Sequence, residues 1–166
     1  MRRTSGEPTV RSSPGGFRRN DVITDGAHIQ IHHDEVSPAH VQRDEGWRGV
    51  DIRFLIGAAT TGNHDVTMWR AVFAPGAAHA RHTHDSAEVF YLMRGRGAAG
   101  TADREYEVTA GSALYVPPGT VHWFRNPDPH EEVEIIGCYL PGGSLEEAGY
   151  HYVGEITDEY RQVSAS

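Results

Sequence analysis

Residues 76–95 read GAAHARHTHDSAEVFYLMRG. His82 and His84 stand two apart, and on an extended strand residues i and i+2 face the same side, so both imidazoles point one way. After a turn at 85–87, Glu88 opens an apolar run. There Glu88, Phe90 and Leu92 share one face, while Val89, Tyr91 and Met93 share the other. A carboxylate heading a core-facing row is costly to bury unless something neutralises it.

Residues 111–126, GSALYVPPGTVHWFRN, place His122 just after a Pro-Pro-Gly turn and at the start of another strand. From there its ring can meet His82, His84 and Glu88 across a barrel. Three neutral imidazoles and one carboxylate make a net +1 site with a divalent ion. Up to two positions of an octahedron stay open for water, dioxygen or substrate. That is the pattern of a reactive centre, not of a closed structural one.

Working outward, short β-type runs recur: 29–31, 50–56, 66–73, 88–93, 106–108, 112–116, 121–124 and 132–140. The breaks between them, TTGNHD, PGAA, RGRGA, TADRE, PPGT and NPDPHE, are dense in Gly, Pro, Asn and Asp, the residues that favour turns. About eight strands at this spacing predict an all-β sandwich or barrel. No period of 20–50 residues repeats itself, and the length suits one barrel. A short peripheral C-terminal helix is expected at 144–149, SLEEAG, where Ser144 can cap the amide of Glu147 and Gly149 can close the end.

Residues 1–20 are rich in Arg, Ser, Gly and Pro with almost nothing to bury, and are expected to form a flexible tail ahead of one folded domain over 21–166. A chain of 166 residues suits a single domain. Its net charge is −8, and the tail holds five of the fifteen basic residues but only Glu7 among the acids. The remaining ten arginines face twenty-two acids, a net −12 that argues against nucleic acid. Every basic residue is arginine, which excludes lysine Schiff-base chemistry and a P-loop. No apolar run approaches the roughly 20 residues of a membrane span, and none follows Arg2 and Arg3 to complete an export signal. The expected location is the cytoplasm, with no membrane partner. Cys138, the single cysteine, is expected from its neighbours Ile135, Ile136 and Leu140 to be a buried thiol and is given no catalytic role.

Parity makes further assignments. Phe90, Leu92 and Phe124 share the ligand face and are expected to line the substrate pocket. His79, Arg81 and Arg125 fall on the opposite face by the same count. Tyr91, Met93 and Trp123 form an outward row of large apolar groups, expected to be covered by a partner subunit or the N-terminal segment. His28, His32 and His33 lie in a loop-like stretch and read as surface.

The two segments resemble the paired signatures of the cupin superfamily, G-x5-H-x-H-x3-E-x6-G and G-x5-P-x-G-x2-H-x3-N, at every fixed position. Gly76, His82, His84, Glu88 and Gly95 match the first, and Gly111, Pro117, Gly119, His122 and Asn126 the second. The resemblance implies a single jelly-roll β-barrel that binds one divalent metal through His82, His84, Glu88 and His122. Iron(II) is the first expectation, with manganese, nickel or zinc as alternatives. It also implies a homodimer and a small-molecule substrate. The activity it implies is that of a non-haem metal dioxygenase acting on a chelating enolate, phenolate or carboxylate, with Glu88 as ligand and proton acceptor. The alternatives are a Lewis-acid cyclase, isomerase or lyase of polyketide-type metabolism, and a ligand-binding cupin without turnover.

Overall fold

The computed structural model describes residues 23–24, 29–39, 46–101, 104–161 and 163–164. The expected tail at 1–20 and His28 lie outside these residues.

The described chain is almost entirely β. After a two-residue pair, β1 (Ile23–Thr24) with β2 (Ile29–Gln30), come β3 (Trp47–Ile56), a one-turn helix α1 (Ala58–Thr61) and the long β4 (Thr67–Thr83). The remaining strands are β5 (Ala87–Arg94), β6 (Arg96–Thr101), β7 (Arg104–Thr109), β8 (Ala113–Val116), β9 (His122–Arg125), β10 (Val133–Leu140), β11 (His151–Gly154) and β12 (Val163–Ser164). They build one curled sheet in the order β12-β7-β6-β9-β4-β10-β5-β8, with β3 and β11 also on β4. All of these pairings are antiparallel except β12 on β7. This is the jelly-roll barrel that the motifs imply.

β4 joins the two walls. Its first half pairs with β10, and its second half, past Pro75 and Gly76, pairs with β9 and β11. The PGAA run, expected as a break, is instead a corner inside one 17-residue strand, with Gly76 at φ +74°. Only a residue at ease in the left-handed region turns such a corner without strain.

β6 was also expected as a break. Its RGAAGT sequence has none of the bulky apolar residues that mark strands, because the aromatic side chains of its sheet neighbour β9 take up the space beside it. A Cβ on Gly97 would sit 2.2 Å from the Phe124 ring, and one on Gly100 1.7 Å from Trp123. Small residues here are the complement of large ones next door.

The core fills the space between the walls with Ile52, Trp69, Phe73, Leu92, Phe124 and Ile135 among others. Inward residues alternate along β10, where Val133, Ile135, Gly137 and Tyr139 are buried. A second, smaller core lies outside the barrel, where Trp123 packs with Ala78, Ile156 and Tyr160.

That outer core corrects the reading of Trp123. The residue does face outward, but at 1 % exposure it is covered by this chain's own C-terminal segment, and its indole N–H donates to Glu105 at 2.9 Å. Tyr91 and Met93 are exposed as parity predicts. Arg125 turns away from the barrel interior to grip the fully buried Glu105 through its Nε and Nη2, and Arg81 lies 4.0 Å over the Tyr160 ring.

The stretch at 144–149 makes the expected cap, with the Glu147 N–H donating to Ser144 Oγ at 3.2 Å. It stops at that one turn and does not continue as a helix. Its end is bound elsewhere: Ala148 O accepts the N–H groups of Asp85 and Ser86 at 2.9 and 3.1 Å. Among the described residues no helix is long and apolar enough to cross a membrane.

Candidate metal centre

Four elements deliver the four side chains. His82 lies near the end of β4, His84 just past it, Glu88 is the second residue of β5 and His122 the first of β9. His82 and His122 are direct cross-strand partners. The turn between His84 and Glu88 is held from outside by the Ala148 carbonyl, and the 117–121 loop is tied to it by the Gly119 N–H donating to His84 O at 2.7 Å. Residues far apart in sequence are thereby fixed on rigid sheet ends.

The ligand atoms of His82, His84, Glu88 and His122 all lie within 4.8 Å of one another, and all four residues are buried. Ring centroids are 4.1 Å apart for His82–His122, 4.9 Å for His82–His84 and 5.4 Å for His84–His122. Donor atoms sharing one ion at bonds of about 2.1 Å sit roughly 3–4 Å apart, a spacing this cluster approaches.

The hydrogen bonding supports the same fit. His82 Nδ1–H donates to Ala80 O at 2.6 Å, which fixes the tautomer and leaves Nε2 as a lone pair with no partner. Both ring nitrogens of His84 are likewise buried without a partner. A buried imidazole lone pair without a donor costs free energy unless a cation meets it. His122 lies against Thr120 O at 2.9 Å and Glu88 Oε2 at 2.6 Å, so a proton is held between His122 and Glu88. A divalent ion between His122 and Glu88 would take over the role of that proton.

Electrostatics follow from these contacts. Burial, reinforced by His79 and the other two histidines, holds His82 well below its ordinary value. Burial takes His84 to about 4 in spite of the Glu88 carboxylate nearby. Burial also opposes charge on His122, but the hydrogen bond and charge of Glu88 outweigh it and raise that ring above its usual value. Two of the three imidazoles are therefore neutral lone-pair donors at any ordinary pH.

The cluster borders an aromatic chamber with about 30 Å³ of free volume, walled by Trp47, Phe73, Phe90, Phe124, Ile135 and Tyr139 among others. Of the three residues expected to line the substrate pocket, Phe90 and Phe124 border this chamber. Leu92 is fully buried in the core, and four residues of strand carry it about 13 Å from Glu88.

Parity misplaced His79. The β4–β9 register shifts between His79 and His82, so the ring that counting sends outward turns into the barrel and is buried. It is stacked between Trp47 at 3.4 Å and His82 at 3.7 Å, and its Nε2 lies 3.2 Å from the Tyr150 hydroxyl. Tyr139 was missed as well. Its ring is 4.5 Å from that of His84, and burial together with Glu88 keeps its phenol protonated well above the usual value. The inward alternation of β10 was the available signal for it. A second cluster, His32, His33 and Asp34, is surface-lying as expected, and His32 Nδ1 is occupied in accepting the Asp34 N–H.

Residues 69–137 match the family model of the cupin domain. The chain carries a cupin domain. This domain is similar to auxin-binding protein 1 of Arabidopsis thaliana, 26 % identical over 104 residues that cover 57 % of this chain and 52 % of that protein. The chain thus spans about half the length of that relative. In structure the cupin resembles the polyketide cyclase RemF from Streptomyces resistomycificus, with a TM-score of 0.63, 20 % identity and coverage of 78 % of this chain and 87 % of that one. It also resembles oxalate oxidase, with a TM-score of 0.54, 21 % identity and coverage of 63 % and 55 %. At these identities the structural likeness is one of fold.

Proposed function

We propose that this cupin is a metal-dependent enzyme that holds one divalent ion through His82, His84, Glu88 and His122 and acts on a small organic molecule bound through an enolate, phenolate or carboxylate oxygen. The observation that carries the reading is the buried quartet with unpartnered imidazole nitrogens beside an apolar chamber. When bound, the ion supplies Lewis acidity and, if it is iron(II) or manganese, redox chemistry with dioxygen. The chain's own part is to hold three neutral imidazoles in place, to exclude bulk water with Trp47, Phe90 and Phe124, and to keep Glu88 beside His122, where it can accept a proton.

The first form of this reading is a dioxygenase. A largely apolar chamber with room for roughly two waters is also roomy enough for a diatomic gas, which supports it. The second is a cyclase, isomerase or lyase using the ion as Lewis acid alone. The protonated phenol of Tyr139 beside His84 and the likeness to RemF favour it. A non-catalytic ligand-binding role is the third, in line with the auxin-binding relative. The protein is read as a cytoplasmic homodimer, with exposed Tyr91, Met93 and Tyr115 supporting the pairing.

The test is elemental analysis followed by an oxygen electrode. One metal per chain and oxygen uptake with phenolic or enolic substrates are expected. Product formed equally under nitrogen sinks the dioxygenase and leaves the Lewis-acid reading; binding without product leaves the third.

A further inference from the structure

Among the described residues the curled sheet is not hydrogen-bonded into a closed ring: its path ends at β8 on one side and at β12, beyond β7, on the other. In the seam between β8 and the β6–β7 hairpin lies a second cavity with about 110 Å³ of free volume. This cavity shares Phe90, His122 and Trp123 with the inner chamber, so it adjoins the metal cluster at His122. The inner chamber has room for roughly two waters, whereas the seam has room for a ring-sized group.

Its walls carry chemical information. Leu114, Val116, Ala99 and Pro117 are apolar, and Thr101, Thr120 and Tyr106 bring hydroxyls. Among the described residues lining the two cavities, Glu88 is the only carboxylate and none is an arginine. Arg104, the cross-strand partner of Thr101, is not among the lining residues, and three other arginines of the neighbouring strands are paired away from the cavity. Arg125 pairs with the buried Glu105 and Arg81 lies over Tyr160, both on the outer face, and Arg96 lies 3.7 Å from Glu107.

With a divalent ion in place the quartet is net +1 and balances one negative charge. A second carboxylate in the seam would face apolar side chains and neutral hydroxyls, and an unpaired buried anion costs several kcal/mol. We propose that the seam takes the body of a flat, largely apolar ligand whose single anionic oxygen reaches the cluster past His122, and that it discriminates against small dicarboxylates. This rests on the metal-dependent reading above and narrows its substrate class. It also separates this chain from oxalate oxidase, with which it shares a fold.

The experiment uses the full chain loaded with zinc and two probes, 1-naphthoate and oxalate, measured by calorimetry. Free zinc is chelated better by oxalate, so the protein must reverse that order. The expected result is naphthoate bound at least tenfold more tightly than oxalate. Leu114→Trp, which fills the seam, is expected to weaken naphthoate at least tenfold with zinc content unchanged. Thr101→Arg, at the partly exposed rim opposite His122, supplies the missing cation and is expected to strengthen oxalate about tenfold. Oxalate bound as tightly as naphthoate by the unmodified protein overturns the proposal and leaves the metal site standing. So does naphthoate binding that neither variant changes. Failure of the protein to take up zinc overturns both.

Discussion

The two halves of β4 are buried in different ways. From Thr67 to Phe73 burial alternates, with Thr67, Trp69, Ala71 and Phe73 inside and Met68, Arg70 and Val72 partly outside. From Ala77 to Ala80 four consecutive residues are buried, and His82 follows after a half-buried Arg81. In the first half one face packs on the core and the other meets solvent, so period two is visible. In the second half both faces are covered: the inner by the histidine cluster, the outer by Trp123, Ile156 and Tyr160. Alternation in a sequence reports which face meets water, and it falls silent where neither does.

The sharpest way to break the comparison is to remove the inner cover's chemistry. His82→Ala is expected to lower metal affinity by three orders of magnitude or more, which is about 4 kcal/mol, while the far-ultraviolet circular dichroism stays that of the barrel. Metal analysis after dialysis reads the effect. Retained metal at full occupancy would mean that the second half of β4 is buried for packing alone. His79→Ala tests the support behind it. Losing the ring stacked between Trp47 and His82 is expected to weaken metal binding by about 10- to 100-fold, the usual range for groups that orient a ligand. His79→Phe, which keeps the stack, should recover most of that loss.

Removing the outer cover should cost the fold and not the metal. Trp123→Ala empties the centre of the small outer core and also deprives the buried Glu105 of one donor. An expected loss of about 3–5 kcal/mol follows, read by urea unfolding. A loss below about 1 kcal/mol would show that the C-terminal segment does not truly close this face.

Acid gives a comparable probe of the inner face in metal-free protein. His84 titrates near 4 when folded and near 6.5 when unfolded, so its folded value is depressed. Its contribution is present above about 6.5 and is lost as pH falls toward 4, amounting to about 3 kcal/mol. His82 and His79 act in the same direction. His122, raised in the fold, acts in the opposite sense, with stability lost as pH rises through its folded value. Stability of the stripped protein that stays flat between pH 6.5 and 4 would contradict the burial of these rings.

How much of this was legible follows from the same contrast. The quartet was readable because its spacing repeats two family signatures and because His82 and His84 are neighbours by simple strand parity. Phe90 and Phe124 were readable for the same reason. His79 was not, since a register shift between β4 and β9 reverses its parity and no residue type marks that shift. β6 was hidden by its own small residues, whose reason lies in the aromatics of β9. The cover over Trp123 comes from residues more than thirty positions later, and a local pattern carries no trace of it.

The smallest expected effect concerns an apolar face that the described chain leaves open. Tyr91, Met93 and Tyr115 remain exposed on the wall opposite to Trp123, beside Cys138 and Ile136. If a second copy of the chain covers them, Tyr91→Ala should leave monomer stability within about 0.5 kcal/mol, as an exposed surface position normally does, yet shift sedimentation from dimer toward monomer. If the wild-type protein sediments as a monomer at all concentrations, this wall is solvent-facing, and β5 and β8 then belong with the first half of β4, where one buried face and one wet face are all that the alternation ever described.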